Sequence, residues 1–235
     1  MEVFPGNEDD AAAIARQAYR KRSVKALVHN PMSYDEWSWQ SLLAPPLVPG
    51  PADRGYIDNR ISGYAAIGES QVWVSTPRSG TYCLDTGSGG WSKACDCAMP
   101  FRGRAEHTPE LGLWFGLTDG KDGLLGAWDL HAAAAATSAH VAACTVWEGF
   151  TVSDPEGGHL MKSCVVHLGG GRLCVVMLLE IAQPSCQCYS SKPVRCYAMF
   201  TGVEVECCGG QGLRMIRHKS CRYNLGSYKE PVCVL

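Results

Sequence analysis

The chain has 235 residues, of which 46% are hydrophobic and 19% charged, and its formal net charge is −2. This length is enough for one large domain or two small ones with a sizeable core. A net charge so close to zero provides no overall positive field, so neither nucleic acid nor an anionic membrane is an expected partner. The 26 glycines and 13 prolines favour many turns and short strands over long helices.

The beginning of the sequence does not predict secretion. Residues 1–6 are followed by the acidic residues 8–10 rather than by the apolar core of a signal peptide. The longest apolar run, residues 173–179, is far too short to span a bilayer. We therefore expect a cytoplasmic or nuclear protein whose 13 cysteines are mostly reduced.

Residues 1–31 are predicted to form an N-terminal segment that is helical or partly disordered. The Ala-, Arg- and Gln-rich residues 11–20 favour a helix, which Asp10 would cap. Residues 23–28 could equally form a strand.

Residues 32–60 are predicted to form a strap rich in proline and tryptophan. Five prolines between positions 31 and 51 exclude a regular helix and a central strand. Trp37 and Trp39 are two positions apart, so in an extended chain they point to the same side. The segment is either a proline-rich ligand for an aromatic groove or an extended strap whose Trp and Leu side chains pack on the domain. The second interpretation is favoured, because the segment carries large apolar side chains of its own.

Residues 61–235 are predicted to form a repeat domain. Trp73 recurs as Trp114, 41 positions on, and Asp85 recurs as Asp129, 44 positions on. A repeat of this period built from short strands is typical of propeller blades. The stretch 131–137 is either a short helix or a low-complexity loop. The predicted strands are 61–67, 71–76, 81–85 and 91–94 in the first unit, 103–108, 112–117, 124–130 and 144–149 in the second, and 161–168, 172–179, 194–206 and 212–223 in the third.

Several stretches resemble one known family, namely 72–76, 80–86, 91–93, 98–107, 109–117, 200–205 and 213–220. The family is a large plant, mainly grass, group related to kelch-type and F-box-associated β-propellers, and the resemblance covers residues 32–130 and 160–225. It implies a propeller-type fold and, since that family has no agreed biochemical role, no particular activity. The chain has Cys95-Asp-Cys97 where the family usually has Gly-Asp-Trp, and no F-box-like helical segment is recognisable.

The expected fold is therefore all-β, a propeller-like array of about three four-stranded antiparallel blades with an irregular N-terminal segment. Three blades are fewer than the four to eight of usual propellers, so the array is expected to be incomplete. Either residues 1–60 complete a further blade or the array stays open and exposes strand edges.

The cysteines and histidines near the C-terminus are the candidates for a metal site. Cys186, Cys188, Cys196, Cys207, Cys208, Cys221 and His218 crowd this part of the chain. The pairs are C-x-C and C-C, whereas zinc sites usually contain a C-x₂₋₄-C pair. Free thiols are therefore favoured over a structural metal, and no cofactor is expected.

No motif predicts catalysis. A cysteine nucleophile would need a nearby base such as His107, His159 or His167, and no local signature surrounds any cysteine. No serine lies in a G-x-S-x-G elbow. The glycines at 169–171 precede a strand rather than a helix, so they predict a turn and not a phosphate loop. The basic run at 214–222 predicts a solvated or edge-strand face guarded by charge.

The favoured function is a non-catalytic protein-binding scaffold of the β-propeller type. Such a scaffold would resemble a substrate adaptor that lacks an F-box, and its partner would be an unidentified protein. One alternative is a small metal-binding protein or thiol enzyme that uses the Cys/His cluster at 186–221. The other is a divergent or truncated copy without activity. The candidate binding residues, taken as loop positions, are Arg78, Arg102, Arg104 and His107.

Overall fold

The computed structural model of the chain describes residues 25–30, 36–42, 45–46, 61–120, 123–135, 141, 143–150, 158–182, 194–209 and 212–226. Within these ranges the chain forms fourteen strands and one short helix, α1 (Leu130–Ala135). The predicted all-β class is therefore confirmed. No helix in this described part is long and apolar enough to cross a membrane.

The two strands that precede residue 61, β1 (Lys25–Asn30) and β2 (Glu36–Ser41), form an antiparallel hairpin with each other. The strand alternative near residues 23–28 is therefore the one observed. Trp37 and Trp39 are 62% and 68% exposed, so the prediction that they pack on the domain is wrong. The backbones of β1 and β2 hydrogen-bond to each other without burying these rings. Trp37 instead contacts His29 at a centroid distance of 4.8 Å. The predicted helix over 11–20 and much of the strap lie outside the described residues.

The first repeat unit is a four-stranded antiparallel meander, as predicted. Its third turn is closed by Asp85, whose Oδ1 accepts hydrogen bonds from the backbone N–H and the hydroxyl of Ser88 at 2.7 and 2.8 Å. These hydrogen bonds lower the pKa of Asp85. The strands are β3 (Gly63–Ile67), β4 (Gln71–Thr76), β5 (Gly80–Asp85) and β6 (Trp91–Cys95).

The second unit repeats the meander and contains α1 between its last two strands. Asp129 caps the helix, because its Oδ1 accepts the backbone N–H of Ala132 at 2.8 Å. Of the two interpretations of residues 131–137, the short helix is the one observed over residues 131–135, while residues 136 and 137 lie outside the described part of the chain. The strands are β7 (Phe101–Thr108), β8 (Leu113–Thr118), β9 (Leu125–Trp128) and β10 (Ala143–Val146).

The third unit is a separate four-stranded sheet with longer strands, β11 (His159–Gly169), β12 (Arg172–Ala182), β13 (Val194–Cys207) and β14 (Leu213–Gly226). The predicted glycine turn joins β11 to β12, and Gly169, Gly170 and Gly171 all have positive φ. The apolar run 173–179 predicts a strand buried on both faces, and all of its residues are buried except Cys174, which is half-buried. β14 carries the basic run and is the outer edge of the sheet, in agreement with the prediction of a charged edge.

The first strands of the three units lie side by side. β3 and β7 pair in parallel, with Gly63 opposite Gly103 and Ala65 opposite Ala105, so the first two units form one eight-stranded sheet. The backbone N–H of Gly103 donates to the carbonyl of Ser62 at 2.7 Å. β11 packs against β7 so closely that a Cβ at Gly103 would lie 3.2 Å from the carbonyl oxygen of Ser163.

A core of large aromatic side chains joins the first unit to the second. Trp73 belongs to the first unit, and Phe101, Trp114 and Trp128 belong to the second. Phe101 and Trp128 are in ring contact at 5.2 Å, and Trp114 donates its indole N–H to the carbonyl of Ala66 at 2.8 Å. Burial of one such side chain contributes about 1.5–3 kcal/mol, so this core accounts for much of the cohesion between the two units.

A second core joins the second unit to the third. Phe115 and Phe150 of the second unit are fully buried against Leu173, Val175 and Tyr197 of the third. The second unit is therefore packed on both faces, whereas each of its neighbours meets it through one core. This arrangement places β7 between β3 and β11.

Candidate binding face

The parallel pairing of β3 with β7 and the packing of β11 against β7 gather polar side chains that are distant in the sequence. We call the surface formed by Tyr64, Arg104, Glu106 and Cys164 the first-strand face. Tyr64 and Arg104 are register partners on β3 and β7. Arg104 forms an ion pair with Glu106, in which Nη2 lies 2.7 Å from Oε2. The Tyr64 side chain is 42% exposed, so the face presents an aromatic ring beside a charge pair.

Cys164 brings a thiol from β11 to the same face. Its pKa is raised chiefly by burial and further by Cys174, while the charge of Arg104 opposes this rise. Burial also raises the pKa of Cys174. Both side chains are therefore held as neutral thiols, which are poor nucleophiles.

A histidine cluster lies at the junction of the second and third units and contains His107, His131 and His167. His107 pairs with Trp114 across β7 and β8, and its ring stacks on the indole at a centroid distance of 4.3 Å. His131, in the first turn of α1, meets the same indole edge-on at 4.7 Å. The Nε2 atom of His107 is buried and has no hydrogen-bond partner among the described residues.

Glu110 connects this cluster to the third unit. Its Oε1 accepts the backbone N–H of Gly170 at 2.7 Å, and its Oε2 lies 3.0 Å from Nε2 of His167. The contact with His167 lacks hydrogen-bond geometry, since that Nε2 has no hydrogen-bond partner among the described residues. The pKa of Glu110 is lowered mainly by backbone N–H groups, its own first and then that of Gly170.

The histidine cluster predicts a loss of stability in acid. The pKa of His107 is lowered by burial and by repulsion from His131 and His167. The unfolded chain, with a histidine pKa of about 6.5, therefore binds more protons than the folded chain below that pH. The contribution of His107 to stability is complete above pH ~6.5 and declines as the pH falls from there towards the lowered folded pKa.

We expect the melting temperature of the wild type to fall more steeply between pH 7 and pH 5 than that of the variant His107→Phe. The phenyl ring can stack on Trp114 but does not titrate. Replacement of the exposed His159 with phenylalanine is the matched control and should keep the wild-type slope. Equal slopes for wild type and His107→Phe, measured by circular dichroism, would contradict this role of His107.

Three of the four predicted binding residues lie in β7 rather than in loops. Arg78 is in the turn between β4 and β5. Arg102 lies 3.2 Å from Asp119 in an exposed ion pair. Arg104 belongs to the first-strand face and His107 to the histidine cluster.

The predicted Cys/His cluster falls partly outside the described residues, since Cys186 and Cys188 lie there. Within the described part of the chain, no group of three or more His, Cys, Asp or Glu side chains is arranged to hold a metal ion. The cysteines described are free thiols. His218 lies 3.3 Å from Glu204 in the exposed part of the third sheet.

The sequence pattern does not single out Tyr64, Glu106 or Cys164. The alternation in β3, where residues 63, 65 and 67 are buried and residues 64 and 66 exposed, is a local signal that could identify Tyr64 as a surface residue. No local signal brings Cys164 to Arg104, because their proximity depends on the packing of β11 against β7.

Residues 7–223 match the family described as Protein of unknown function (DUF1668). No curated protein and no solved structure gives a significant match.

Proposed function

The chain belongs to the DUF1668 family, whose description states no activity, and we propose that it is a non-catalytic protein-binding scaffold of the β-propeller type. The observation that carries this proposal is the first-strand face. It brings an exposed aromatic ring and a charge pair from separate repeat units into one surface.

The propeller-like arrangement is part of the proposal. In a propeller, four-stranded antiparallel sheets surround a central channel, with the first strands of the blades running side by side along it. Two features support this arrangement: each unit here is a four-stranded meander, and β7 lies between β3 and β11. The three described units are too few for a closed ring, so the array we propose is open.

The chemistry of the face favours a protein as the partner. Tyrosine and arginine are the side chains enriched in the energetic centres of protein interfaces, and Tyr64 and Arg104 are direct neighbours. Glu106 balances the charge of Arg104, so the face attracts neither a polyanion nor a polycation. The proposed partner therefore presents a surface of mixed polarity.

The proposal is tested by quantitative affinity capture from cells that express the protein, followed by affinity measurement with the partner recovered. We expect the double variant Tyr64→Ala/Arg104→Glu to lose about 2 kcal/mol or more of binding free energy, roughly 30-fold in affinity. The matched control is Tyr223→Ala/Arg214→Glu, which changes an exposed tyrosine and an exposed arginine on β14.

The control variant should bind like the wild type, and both variants should melt at similar temperatures. The reverse result, in which the β14 variant loses the partner and the first-strand variant keeps it, would place the binding surface elsewhere. Recovery of no stoichiometric partner, together with turnover of a substrate, would overturn the scaffold role itself.

A further inference from the structure

Two cysteines outside the first-strand face lie at the β6 edge of the eight-stranded sheet formed by the described strands. Cys95 is the last residue of β6, the outermost strand, and Cys97 follows it in a bend. The pairing of β5 with β6 shifts register here, since Thr81 is opposite Cys95 whereas Tyr82 is opposite Lys93. This irregularity leaves Ala94 as an extra residue and turns the end of the strand.

The two side chains meet after this bend. Their Sγ atoms are 2.7 Å apart, and Cys95 is also within hydrogen-bond distance of the carbonyl of Cys97, at 3.2 Å. Both residues are partly exposed, in contrast to Cys83 in the core of the first unit. A small thiol reagent can therefore reach this pair without opening the fold.

The neighbouring strand holds the backbone around the pair. The hydroxyl of Thr81 donates to the carbonyl of Cys97 at 2.8 Å. A Cβ at Gly80 would lie only 2.5 Å from the carbonyl oxygen of Cys95, so β5 and the Cys95 backbone are in close contact. The proximity of the thiols is thus set by β5 and does not depend on a bond between the sulfurs.

The surroundings distinguish the two thiols. Burial, with the contact to Cys95, raises the pKa of Cys97 to about 11. Cys97 therefore keeps its proton at neutral pH and can donate it towards the sulfur of Cys95. Lys93, which forms an ion pair with Asp96, lies close to Cys95. Of the two sulfurs, Cys97 is the one held as a neutral thiol, and a neutral thiol is a poor nucleophile.

We propose that Cys95 and Cys97 form a thiol–disulfide exchange site whose substrate is a small disulfide such as glutathione disulfide. The Cys95 thiolate attacks one sulfur of glutathione disulfide, forms a mixed disulfide and releases a glutathione thiolate. That thiolate accepts the proton of Cys97, whose sulfur then attacks the Cys95 sulfur. A disulfide between Cys95 and Cys97 forms, and the second glutathione thiolate leaves and is protonated by solvent.

Overall, the dithiol loses two electrons and two protons, and one glutathione disulfide becomes two glutathione thiols. The reaction runs in reverse in excess glutathione. This inference is independent of the scaffold role, because no residue of the first-strand face takes part in it.

Peptide mass spectrometry of the full chain tests the proposal. The protein is equilibrated in glutathione buffers of increasing disulfide content, blocked with N-ethylmaleimide and digested with trypsin. Cleavage after Lys93 and Arg102 yields the peptide 94–102, in which Cys95 and Cys97 are the only cysteines. We expect this peptide to change from a doubly alkylated form to an unalkylated form whose mass is two hydrogens below that of the reduced, unalkylated peptide. The doubly alkylated form should return when glutathione is added before blocking. A peptide that stays doubly alkylated, or that stops as a glutathione adduct, would overturn the proposal.

Two variants test the roles of the two sulfurs. Cys97→Ser should accumulate a glutathione adduct on Cys95, since no second thiol resolves it. Cys95→Ser should form its adduct, on Cys97, more slowly than Cys97→Ser forms its adduct on Cys95, because burial raises the pKa of the Cys97 thiol and keeps it a poor nucleophile. Cys144→Ser removes an exposed thiol elsewhere and should leave formation of the disulfide between Cys95 and Cys97 unchanged. Adduct formation at equal rates in both variants would overturn the assignment of Cys95 as the attacking thiol.

Discussion

Replacement of Trp114 with alanine is expected to lower the free energy of unfolding by about 3–5 kcal/mol. Trp114 is fully buried between the first two units, and its indole also carries the stacked ring of His107. Truncation removes these contacts and leaves the carbonyl of Ala66 without its indole donor. Because a domain of this kind is typically stable by only about 5–15 kcal/mol, the loss is a large fraction of the total.

The control for Trp114→Ala is Trp39→Ala, which truncates a tryptophan that is 68% exposed. We expect that change to stay within about 0.5 kcal/mol of the wild type, as surface substitutions usually do. Trp114→Phe is the milder variant if alanine prevents folding, since it keeps part of the ring packing; it still loses the hydrogen bond, at about 1–3 kcal/mol, and the packing of the second indole ring. Denaturant titration that gave equal losses for Trp114→Ala and Trp39→Ala would contradict the packing of the first two units.

Replacement of Gly171 with alanine is expected to lower the free energy of unfolding of the third unit by more than the cost of backbone strain alone. Gly171 has a φ of +71°, which costs a non-glycine residue about 1–2 kcal/mol. A Cβ there would also lie 2.5 Å from the backbone carbonyl oxygen of Val205, a contact that real structures do not tolerate. The same glycine accepts the N–H of Val205 at 2.9 Å, so relief of the clash requires β12 and β13 to separate locally.

Gly169→Ala separates the two contributions. Gly169 has a φ of +87°, but no heavy atom lies within 4 Å of its ideal Cβ. This variant should therefore show only the strain of about 1–2 kcal/mol, and Gly171→Ala should exceed it clearly in the same urea titration. Equal losses of unfolding free energy in the two variants would contradict the close approach of β13 to this turn.

The strands are the part of the fold that the sequence predicts well, because their signals are local. The apolar run 173–179 in β12 predicts a strand buried on both faces, and every residue of the run except Cys174 is buried. Trp73 and Trp114 recur at a blade-like spacing, and both are in the core. The glycines at 169–171 mark a turn, and each adopts a positive φ.

The parts that escape prediction depend on long-range packing. Parallel pairing of β3 with β7 joins positions about forty residues apart, and nothing in either strand specifies it. The exposure of Trp37 and Trp39 runs against their hydrophobicity, because β1 and β2 pair with each other and not with another described strand. The contact between Cys95 and Cys97 follows from a register shift that the C-x-C spacing does not reveal.

The candidate site was accessible to sequence analysis only in part. An exposed arginine can be proposed from its type, and Arg104 lies on the first-strand face. Its partners cannot be read in the same way, since Tyr64 and Cys164 come from other repeat units. His107 is recognisable as a titratable residue, whereas its stacking on Trp114 follows from the pairing of β7 with β8.

The central structural claim is that the first strands of the repeat units lie side by side, and nuclear Overhauser effects measured on the isotope-labelled chain test it most directly. The account predicts an effect between the indole N–H of Trp114 and backbone protons at Ala66, because these groups share a hydrogen bond of 2.8 Å. It also predicts one between the amide of Gly103 and protons of Ser62 or Gly63. Assigned signals that lacked both effects would mean that the first two units do not pack in this way, and the first-strand face would not exist.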